Sequence, residues 1–364
     1  MVSRRRFLQG SGAALLGSLL PTSGWSETAG NPLIRAVSAA RLESGVHGAS
    51  GIDDQGRQFW QLSLPERCHG GCFTPSRDQV LVFERRPGWR FHVINSTDGT
   101  LARSVEAQSG EHFFGHGIFS PNGRYLYATV NRYDDAAGVI AVYDRNQDYQ
   151  RVATYALDGI GPHELRLHPD GETLVVALGG IETHPDYGRI KLNLDSMAPA
   201  LILMDRRSGE IRARFRPSHH QLSLRHLDVT PNGEIYAGYQ FQGPDHLIQP
   251  LVCQFRGGDF SEIRFEQALL RQLNQYIASV AAHPEDGTVA VTAPRGGLTV
   301  IFDGASGEVR QSPAINDCAG VFPLAGGGYL VSSGQGSLYQ VAPDQPDARA
   351  IGRTPLRWDN HFIV

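Results

Sequence analysis

The stretch HGIFSPNGRYLYATVN (116–131) contains the features that decide the fold. It begins with an apolar run, turns at Pro121-Asn122-Gly123, and continues into a second apolar run of strand length. Proline presets the backbone for a tight turn, and Asn-Gly tolerates the positive φ angles that short hairpins require. The stretch therefore predicts two antiparallel strands joined by a tight turn.

The same unit recurs along the chain, and each copy is followed by a third apolar segment that ends at a polar turn. The unit starts lie between 39 and 63 residues apart, which is about the length of a four-stranded propeller blade. The other copies are HGGCFTPSRDQVLVFE (69–84), HELRLHPDGETLVVALGG (163–180), HLDVTPNGEIYAGYQ (226–240), SVAAHPEDGTVAVTAP (279–294) and CAGVFPLAGGGYLVSS (318–333).

The seventh unit start, His361, is followed by three residues only. We expect this C-terminal stub to supply the inner strand of a last blade whose other three strands come from residues 34–64. The sequence thus predicts an all-β, seven-bladed β-propeller over 34–364, closed by pairing of the N- and C-terminal strands, which removes the exposed edge of an open sheet. One insertion, 181–199, interrupts the repeat between a second and a third strand, where we expect it to lie on a working face.

Residues 1–26 are predicted to be a twin-arginine signal peptide. Ser3-Arg4-Arg5-Arg6-Phe7-Leu8-Gln9 is followed by a weakly apolar stretch, with a cleavage point expected near Ser26. The apolar stretch is about half of the roughly 20 residues that a membrane helix needs, so we expect no membrane anchor. We expect a periplasmic protein. Removal of residues 1–26 shifts the formal net charge from −4 to −7, which argues against a nucleic-acid surface.

Histidines recur at the starts of the predicted inner strands, and these starts converge on one mouth of a propeller channel. Imidazoles converging from separate strands suit iron, copper or zinc, so the pattern predicts a transition-metal site, with iron first and copper or zinc as alternatives. His112, His219 and His220 lie in the loops that lead into inner strands. The predicted ligands are His116, His163, His226 and His361, followed by His69 and His184.

A structural or substrate-binding role for the same histidines is the alternative. Counted back from the turn proline, His116 and His226 are five residues away, whereas His69 and His163 are six. A one-residue slip reverses the direction of a strand side chain, so the period alone does not aim all four at one point. Cys318 opens an inner strand and is a further candidate ligand.

Three other kinds of site are not expected. The string CHGGC (68–72) lacks the CxxCH pattern of covalent haem attachment, and no Walker loop for a nucleotide occurs. No GxSxG elbow or Ser-His-Asp order is present either. Whether the protein is an enzyme is left open by the sequence.

Several segments resemble a family of exported bacterial propellers of unknown function. They are GGIETHPDYGRIKLNLDSMAPALILMD (179–205), HGIFSPNGRYLYATVN (116–131), GPHELRLHPDG (161–171), PRGG (294–297) and WDNH (358–361). Members of that family typically accompany imelysin-type proteins and a di-haem oxidoreductase-like protein in iron-uptake gene clusters. The resemblance implies an accessory role in iron or metal acquisition with such a protein as partner, and it supplies no catalytic residues.

A broader resemblance links the HPDG and SPNG turns to lactonase and YVTN-type propellers. It implies an alternative function, a lactonase-like hydrolase in which Arg225, Glu164 and the mouth histidines would hold a lactone. A third alternative is a metal-free platform for protein interactions, since propeller faces commonly dock proteins. Fold likeness alone does not decide among these functions.

Overall fold

The computed structural model describes residues 34–364, so the predicted signal peptide lies outside the described residues. This part of the chain forms 28 strands in seven four-stranded antiparallel sheets. The prediction of an all-β, seven-bladed β-propeller is confirmed. None of the helices in 34–364 has both the length and the apolar character needed to cross a membrane.

The blades are numbered in chain order, and the strands within each run from the channel outward. Blade 1 contains β28 together with the first three strands. The strands are β1 (Ala36–Arg41), β2 (His47–Ile52), β3 (Gln58–Ser63) and β28 (Arg357–Trp358) in blade 1; β4 (Cys68–Phe73), β5 (Gln79–Glu84), β6 (Arg90–Asn95) and β7 (Leu101–Glu106) in blade 2; β8 (Glu111–Phe119), β9 (Tyr125–Arg132), β10 (Ala137–Asp144) and β11 (Gln150–Ala156) in blade 3; and β12 (Pro162–Leu167), β13 (Thr173–Leu178), β14 (Ala200–Asp205) and β15 (Ile211–Phe215) in blade 4.

The remaining blades follow the same plan. Their strands are β16 (Leu222–Val229), β17 (Ile235–Phe241), β18 (Val252–Arg256) and β19 (Asp259–Ile263) in blade 5; β20 (Ser279–Ala282), β21 (Thr288–Ala293), β22 (Leu298–Asp303) and β23 (Val309–Gln311) in blade 6; and β24 (Cys318–Pro323), β25 (Tyr329–Ser333), β26 (Ser337–Val341) and β27 (Arg349–Arg353) in blade 7. The short helices are the α-helix α1 (Gln267–Gln272) and three 3₁₀ turns, Arg145–Gln147, Pro185–Tyr187 and Leu194–Ser196.

The ring is closed by the two ends of the described chain. β28 pairs with β1, and Ile363 exchanges two backbone hydrogen bonds with Val37, of 2.9 and 2.7 Å. The predicted closure is therefore confirmed. The closing strand begins at Arg357, a few residues earlier than the sequence indicated, and it is interrupted around His361.

Burial decreases from the middle of each blade to its rim. Every residue of β13 is buried, because neighbouring blades cover both faces of the sheet, and its sequence is a continuous apolar run. The outer strand β11 alternates between exposed and half-buried residues. Aromatic side chains fill the space between blades 2 and 3, where the Phe83 and Phe113 ring centroids lie 5.5 Å apart. These contacts fix neighbouring blades and hold the inner strands around the channel.

The insertion 181–199 connects β13 to β14, as the repeat indicated. Asn193 holds its base: the side-chain nitrogen donates to Gly180 O at 2.9 Å, and the side-chain oxygen accepts from Glu182 N at 2.7 Å. The middle of the insertion is exposed and carries Tyr187, Ile190 and Leu192 at the surface. The insertion is thus tied to the blade at its two ends while its middle projects.

Candidate metal centre

Five histidines from five blades meet inside the channel. The ring centroids of neighbouring pairs lie between 4.1 and 5.9 Å apart, and the closest pair is His226 with His361. Four of the rings are buried and that of His163 is half-buried. We call the five together the histidine cluster: His69, His116, His163, His226 and His361.

Irregular pairing of the inner strands explains how histidines in two different sequence phases reach one point. In each of blades 2 to 5, the register between the first and second strands shifts beside the histidine, and the extra residues turn the ring into the channel. The strict alternation of side-chain direction along a strand therefore does not hold at these four histidines. The shifts fall between Cys68 and Gly71, Phe113 and Gly117, Pro162 and Leu165, and Leu224 and His226.

Two glycines make room for the rings. A Cβ atom on Gly70 would lie 2.5 Å from Cε1 of His116, and one on Gly115 would lie 2.9 Å from Cδ2 of His69. Gly115 also has a φ of +108°, which disfavours any residue with a side chain. Gly115-His116 of blade 3 therefore packs directly against His69-Gly70 of blade 2.

Carboxylates behind the rings hold Nδ1 of three members. His69 Nδ1 lies 3.2 Å from Asp359 Oδ1, and His226 Nδ1 lies 3.1 Å from Glu164 Oε2. The other oxygen of Glu164 lies 3.8 Å from Nδ1 of His116. A ring N–H that donates to a carboxylate leaves the lone pair on Nε2, which is the arrangement that orients metal-binding histidines.

The other two members have neutral or cationic partners at Nδ1. His361 Nδ1 lies 3.5 Å from Ser279 Oγ. His163 Nδ1 lies 3.3 Å from Arg225 Nη1 and accepts its hydrogen, so the proton of this ring is on Nε2. His163 therefore differs from the others, because it must give up Arg225 or change its tautomer before Nε2 binds an ion.

Several inward-facing nitrogens are left without a partner. Among the described residues, Nε2 of His116, His163 and His361 is buried and makes no hydrogen bond. A buried polar atom without a partner costs about 1–3 kcal/mol. This cost is repeated three times at one place in the channel, which is unusual for groups with a purely structural role.

The electrostatics keep the rings neutral and their carboxylate charged. Burial, followed by repulsion from neighbouring imidazoles and arginines, holds the pKa of every member of the histidine cluster well below its ordinary value. Burial opposes ionisation of Glu164, but Arg166, at 2.9 Å, and His116 lower the pKa of this carboxyl. Neutral imidazole is the form that binds metal ions.

Three sets of ligand atoms lie close enough to hold an ion. In each set the atoms are within 4.8 Å of one another, and all five histidines take part. Zinc–nitrogen bonds of about 2.0–2.1 Å bring tetrahedral ligands to about 3.3 Å from one another, so an ion would draw the rings inward by an ångström or so. The sets are His69 with His116 and His163, His69 with His226 and His361, and His116 with Glu164 and His226.

The sixth predicted ligand, His184, belongs to none of these sets. Its ring packs against Tyr133, with centroids 5.2 Å apart, and its Nδ1 accepts a hydrogen bond from Asp186 N at 3.2 Å, capping a 3₁₀ turn of the insertion. His219 and His220 stack on each other. The structure thus brings five of the six predicted ligands together.

The four cysteines are buried free thiols. Cys318 donates from Sγ to Leu298 O of the neighbouring blade at 3.1 Å and belongs to none of the three sets, so this candidate ligand does not join the histidines. Burial raises the pKa of Cys72 and Cys318, to about 12 for the latter. Such thiols behave as small apolar side chains.

Two cavities border the histidine cluster. One, of about 210 Å³, extends along the inner strands past His116, His361 and Glu164. The other, of about 110 Å³, lies above His69, His163 and His226, and four arginines form its wall. One of these arginines, Arg225, was identified from the sequence. The other three are Arg85, Arg86 and Arg189. Their positions could have predicted them, because Arg85 and Arg86 follow a second strand and Arg189 lies in the insertion, and both segments lie on the same face of the propeller.

Comparison with known proteins gives a fold likeness and a family. A solved structure of hydrazine synthase from Kuenenia stuttgartiensis is similar to this chain, with a TM-score of 0.59, 14% identity and coverage of 94% of this chain and 99% of that one. At this identity the likeness shows the fold alone. A search of curated proteins finds no significant match. A family model described as "Protein of unknown function (DUF1513)" matches residues 62–364. The chain therefore belongs to the DUF1513 family, whose function is unknown.

Proposed function

We propose that the histidine cluster binds one transition-metal ion in the propeller channel. The observation that carries this proposal is the convergence of five neutral rings whose Nδ1 atoms face outward to partners, while three buried Nε2 atoms have none. An ion at the centre would give Nε2 of His116 and His361 a partner, and that of His163 after a change of tautomer, and would remove the cost of leaving them unsatisfied. Because the rings come from blades of one closed propeller, only a short inward movement is needed to bring three of them onto an ion.

The carboxylates support the same proposal. Asp359 and Glu164 accept from the Nδ1 atoms of His69 and His226 and make these rings better donors to a metal. Arg166 keeps Glu164 charged. His163 joins the ligands once its contact with Arg225 is released, since its Nδ1 now accepts from that guanidinium.

The donor set suits iron, copper or zinc, since it consists of imidazoles without a thiolate. We place iron first because of the resemblance to exported propellers that accompany iron-uptake proteins. On this proposal the protein is an accessory component of iron or metal acquisition, and an imelysin-like or di-haem oxidoreductase-like protein is its partner. Copper and zinc remain alternatives that elemental analysis would separate.

The first experiment is elemental analysis of the mature protein, purified from the periplasm without an affinity tag or chelator. We expect near-stoichiometric metal in the wild type and none in the double variant His116→Ala/His226→Ala. The matched control is His219→Ala/His220→Ala, which removes two histidines outside the cluster and should keep the metal. Circular dichroism would check that both variants fold.

A metal-free wild-type protein that also fails to bind added Fe(II), Cu(II) or Zn(II) would contradict the metal site. In that case turnover of simple lactones would test the hydrolase alternative. Co-purification with an imelysin-like protein in the absence of metal would favour the interaction platform instead. The hydrolase and the interaction platform are thus distinguished by different measurements.

The proposed location is tested separately. Arg4→Lys/Arg5→Lys alters the twin-arginine pair and should leave the protein in the cytoplasm with its fold intact, whereas Arg349→Lys, on an outer strand, should be exported normally. Cell fractionation reads the outcome. Export that does not depend on Arg4 and Arg5 would contradict the twin-arginine route.

A further inference from the structure

We infer that the 110 Å³ cavity above the histidine cluster binds a small oxyanion carrying two or more negative charges. We call this cavity the arginine pocket, after the four side chains that line it: Arg85, Arg86, Arg189 and Arg225. Its volume is well below the roughly 300 Å³ at which pockets for drug-sized ligands begin. Inorganic phosphate and small dicarboxylates are the multivalent anions of suitable size.

The arginine pocket has an excess of positive charge. Within residues 34–364, the carboxylate nearest to its arginines is Asp359, whose Oδ2 lies 3.8 Å from Arg85 Nη1. That carboxylate is already engaged by Arg67, at 2.6 Å, and by His69. In the same part of the chain, Arg86, Arg189 and Arg225 form no ion pair. At least three guanidinium charges are therefore uncompensated.

Arg225 gives an independent indication of a missing partner. Its residue is 7% exposed, and its Nε atom is buried and makes no hydrogen bond with the described residues. A buried charge without a counter-charge is costly, and a guanidinium pairs most favourably with an oxyanion through two parallel hydrogen bonds. An anion in the pocket would supply acceptors for this side chain.

The arginines come from three separate parts of the chain. Arg85 and Arg86 follow the second strand of blade 2, Arg225 lies on the inner strand of blade 5, and Arg189 comes from the exposed middle of the insertion. Burial, followed by repulsion from Arg85 and Arg189, lowers the pKa of Arg86 to about 10. Like charges brought together from different elements are typical of sites for anions.

Neutral groups complete the wall of the pocket. Gln240 and Tyr276 also line it, and a side-chain amide and a phenol can donate hydrogen bonds to oxygens that the guanidiniums do not reach. Arg295 lies over the Tyr276 ring, 4.5 Å from its centroid, and adds a further positive charge nearby. The pocket therefore offers donors on several sides, as a tetrahedral or branched oxyanion requires.

This inference goes beyond the proposed metal site and does not depend on it. The test uses the mature protein after metal removal with a chelator and dialysis, so failure of the metal proposal would leave the test unaffected. Titration calorimetry at pH 7 would use inorganic phosphate and malonate as separate probes, with chloride as the monovalent control. We expect at least one dianion to bind with a Kd below about 1 mM, and chloride to bind far more weakly.

The pocket variant is Arg86→Gln/Arg189→Gln, which leaves in place the buried Arg225 and the ion pair of Arg85 with Asp359, so we expect the fold to persist. We expect it to weaken dianion binding by at least about tenfold, since two charge-assisted contacts are lost. The matched control, Arg349→Gln/Arg353→Gln, removes two charges from the outer strand of blade 7 and should bind as the wild type does.

The two probes also identify the class of ligand. Binding of phosphate alone indicates a phosphate site, binding of malonate alone indicates a carboxylate site, and binding of both indicates a general dianion site. The inference is overturned if neither dianion binds to the wild type, or if the pocket variant binds as tightly as the control variant. Thermal melting of both variants would confirm that they are folded.

Discussion

Blades 1 to 5 and blades 6 and 7 use the same place in the fold differently. Blades 1 to 5 each bring an imidazole into the channel, whereas blades 6 and 7 have Ser279 and Cys318 at the corresponding start of the inner strand. Both are buried, as most of the cluster is. Ser279 faces His361, and Cys318 donates to a backbone carbonyl of the neighbouring blade 6. The blade architecture therefore does not require histidine at this position.

The blades also differ in how their first and second strands pair. In blade 6, the first and second strands pair without a register shift, whereas blades 2 to 5 each shift at the histidine. Blade 7 shifts as well, so a bulge alone does not define the cluster. A bulge together with a histidine that has an Nδ1 partner distinguishes blades 2 to 5 from blades 6 and 7. In blade 1 the histidine lies where the inner strand is interrupted.

The largest loss of metal binding is expected when histidines of blades 1 to 5 are replaced by serine, the residue that blade 6 has at this position. His69→Ser/His226→Ser removes two neighbouring rings and should abolish stoichiometric metal binding, because each of the three possible ligand sets loses at least one member. The matched control is Cys318→Ser in blade 7, which should leave metal content unchanged. Elemental analysis of both proteins checks this, and equal metal content would remove the distinction between the two groups of blades.

The next effect concerns the pH dependence of stability in the metal-free protein. The pKa values of the cluster lie below the ordinary value in the folded state because of burial, so the unfolded chain binds more protons. The free energy of unfolding should thus be greatest above about pH 6.5 and should fall with decreasing pH, by up to about 1.4 kcal/mol per pH unit for each histidine.

Urea unfolding at pH 7.5 and at pH 5.5 measures this dependence. Replacing two cluster histidines by serine should reduce the slope, since two fewer protons are taken up on unfolding. Replacement of His219 and His220, which lie outside the cluster, serves as the control. A stability that does not change between the two pH values would show that the rings take up protons in the folded chain as readily as in the unfolded chain.

A smaller effect is expected from the carboxylate that serves blades 3 and 5 together. Glu164→Gln keeps the shape of the side chain but weakens its hold on Nδ1 of His226 and His116. Metal affinity should fall by about 10–100-fold while the fold persists. Competition with a chromogenic chelator would measure the affinity. An unchanged affinity would mean that Glu164 serves the fold and does not orient the ligands.

The smallest effect is expected in blade 6 itself. Ser279→Ala removes a hydroxyl that lies 3.5 Å from His361 Nδ1, a long and weak contact. We expect the metal affinity to change by less than about threefold, in contrast to the Glu164 variant. A larger loss in the same chelator competition would show that blade 6 belongs with the orienting residues, and the comparison would then have to be redrawn.

Local chemistry explains why the sequence was sufficient to predict the blades. Turns such as Pro121-Asn122-Gly123 and Pro231-Asn232-Gly233 depend on their own residues, and the strands between them either alternate or run continuously apolar over strand length. The closing strand was placed within a few residues because one blade lacked an inner strand and His361 had no blade of its own. The need to close the ring therefore assigned the C-terminal residues to blade 1.

The site was predicted less completely, because its geometry depends on contacts between blades. The bulges beside His69 and His163 lie between the first and second strands of blades 2 and 4, and no local signal in the sequence marks them. His184 resembles a ligand in sequence yet caps a turn of its own insertion. The arginine pocket combines residues from blade 2, blade 5 and the insertion, and only the folded ring shows that these residues converge.

The strand that closes the ring also carries His361. Val37 and Ile363 exchange hydrogen bonds at the seam, two residues from that ligand. Residues 357–364 follow every other blade strand in the chain, so His361 reaches the cluster only when this terminal segment has paired with β1 at the seam. An ion bound at the centre would act as a clasp, because its binding free energy would resist opening of the ring. Metal binding through His361 would therefore couple occupancy of the site to closure of the ring.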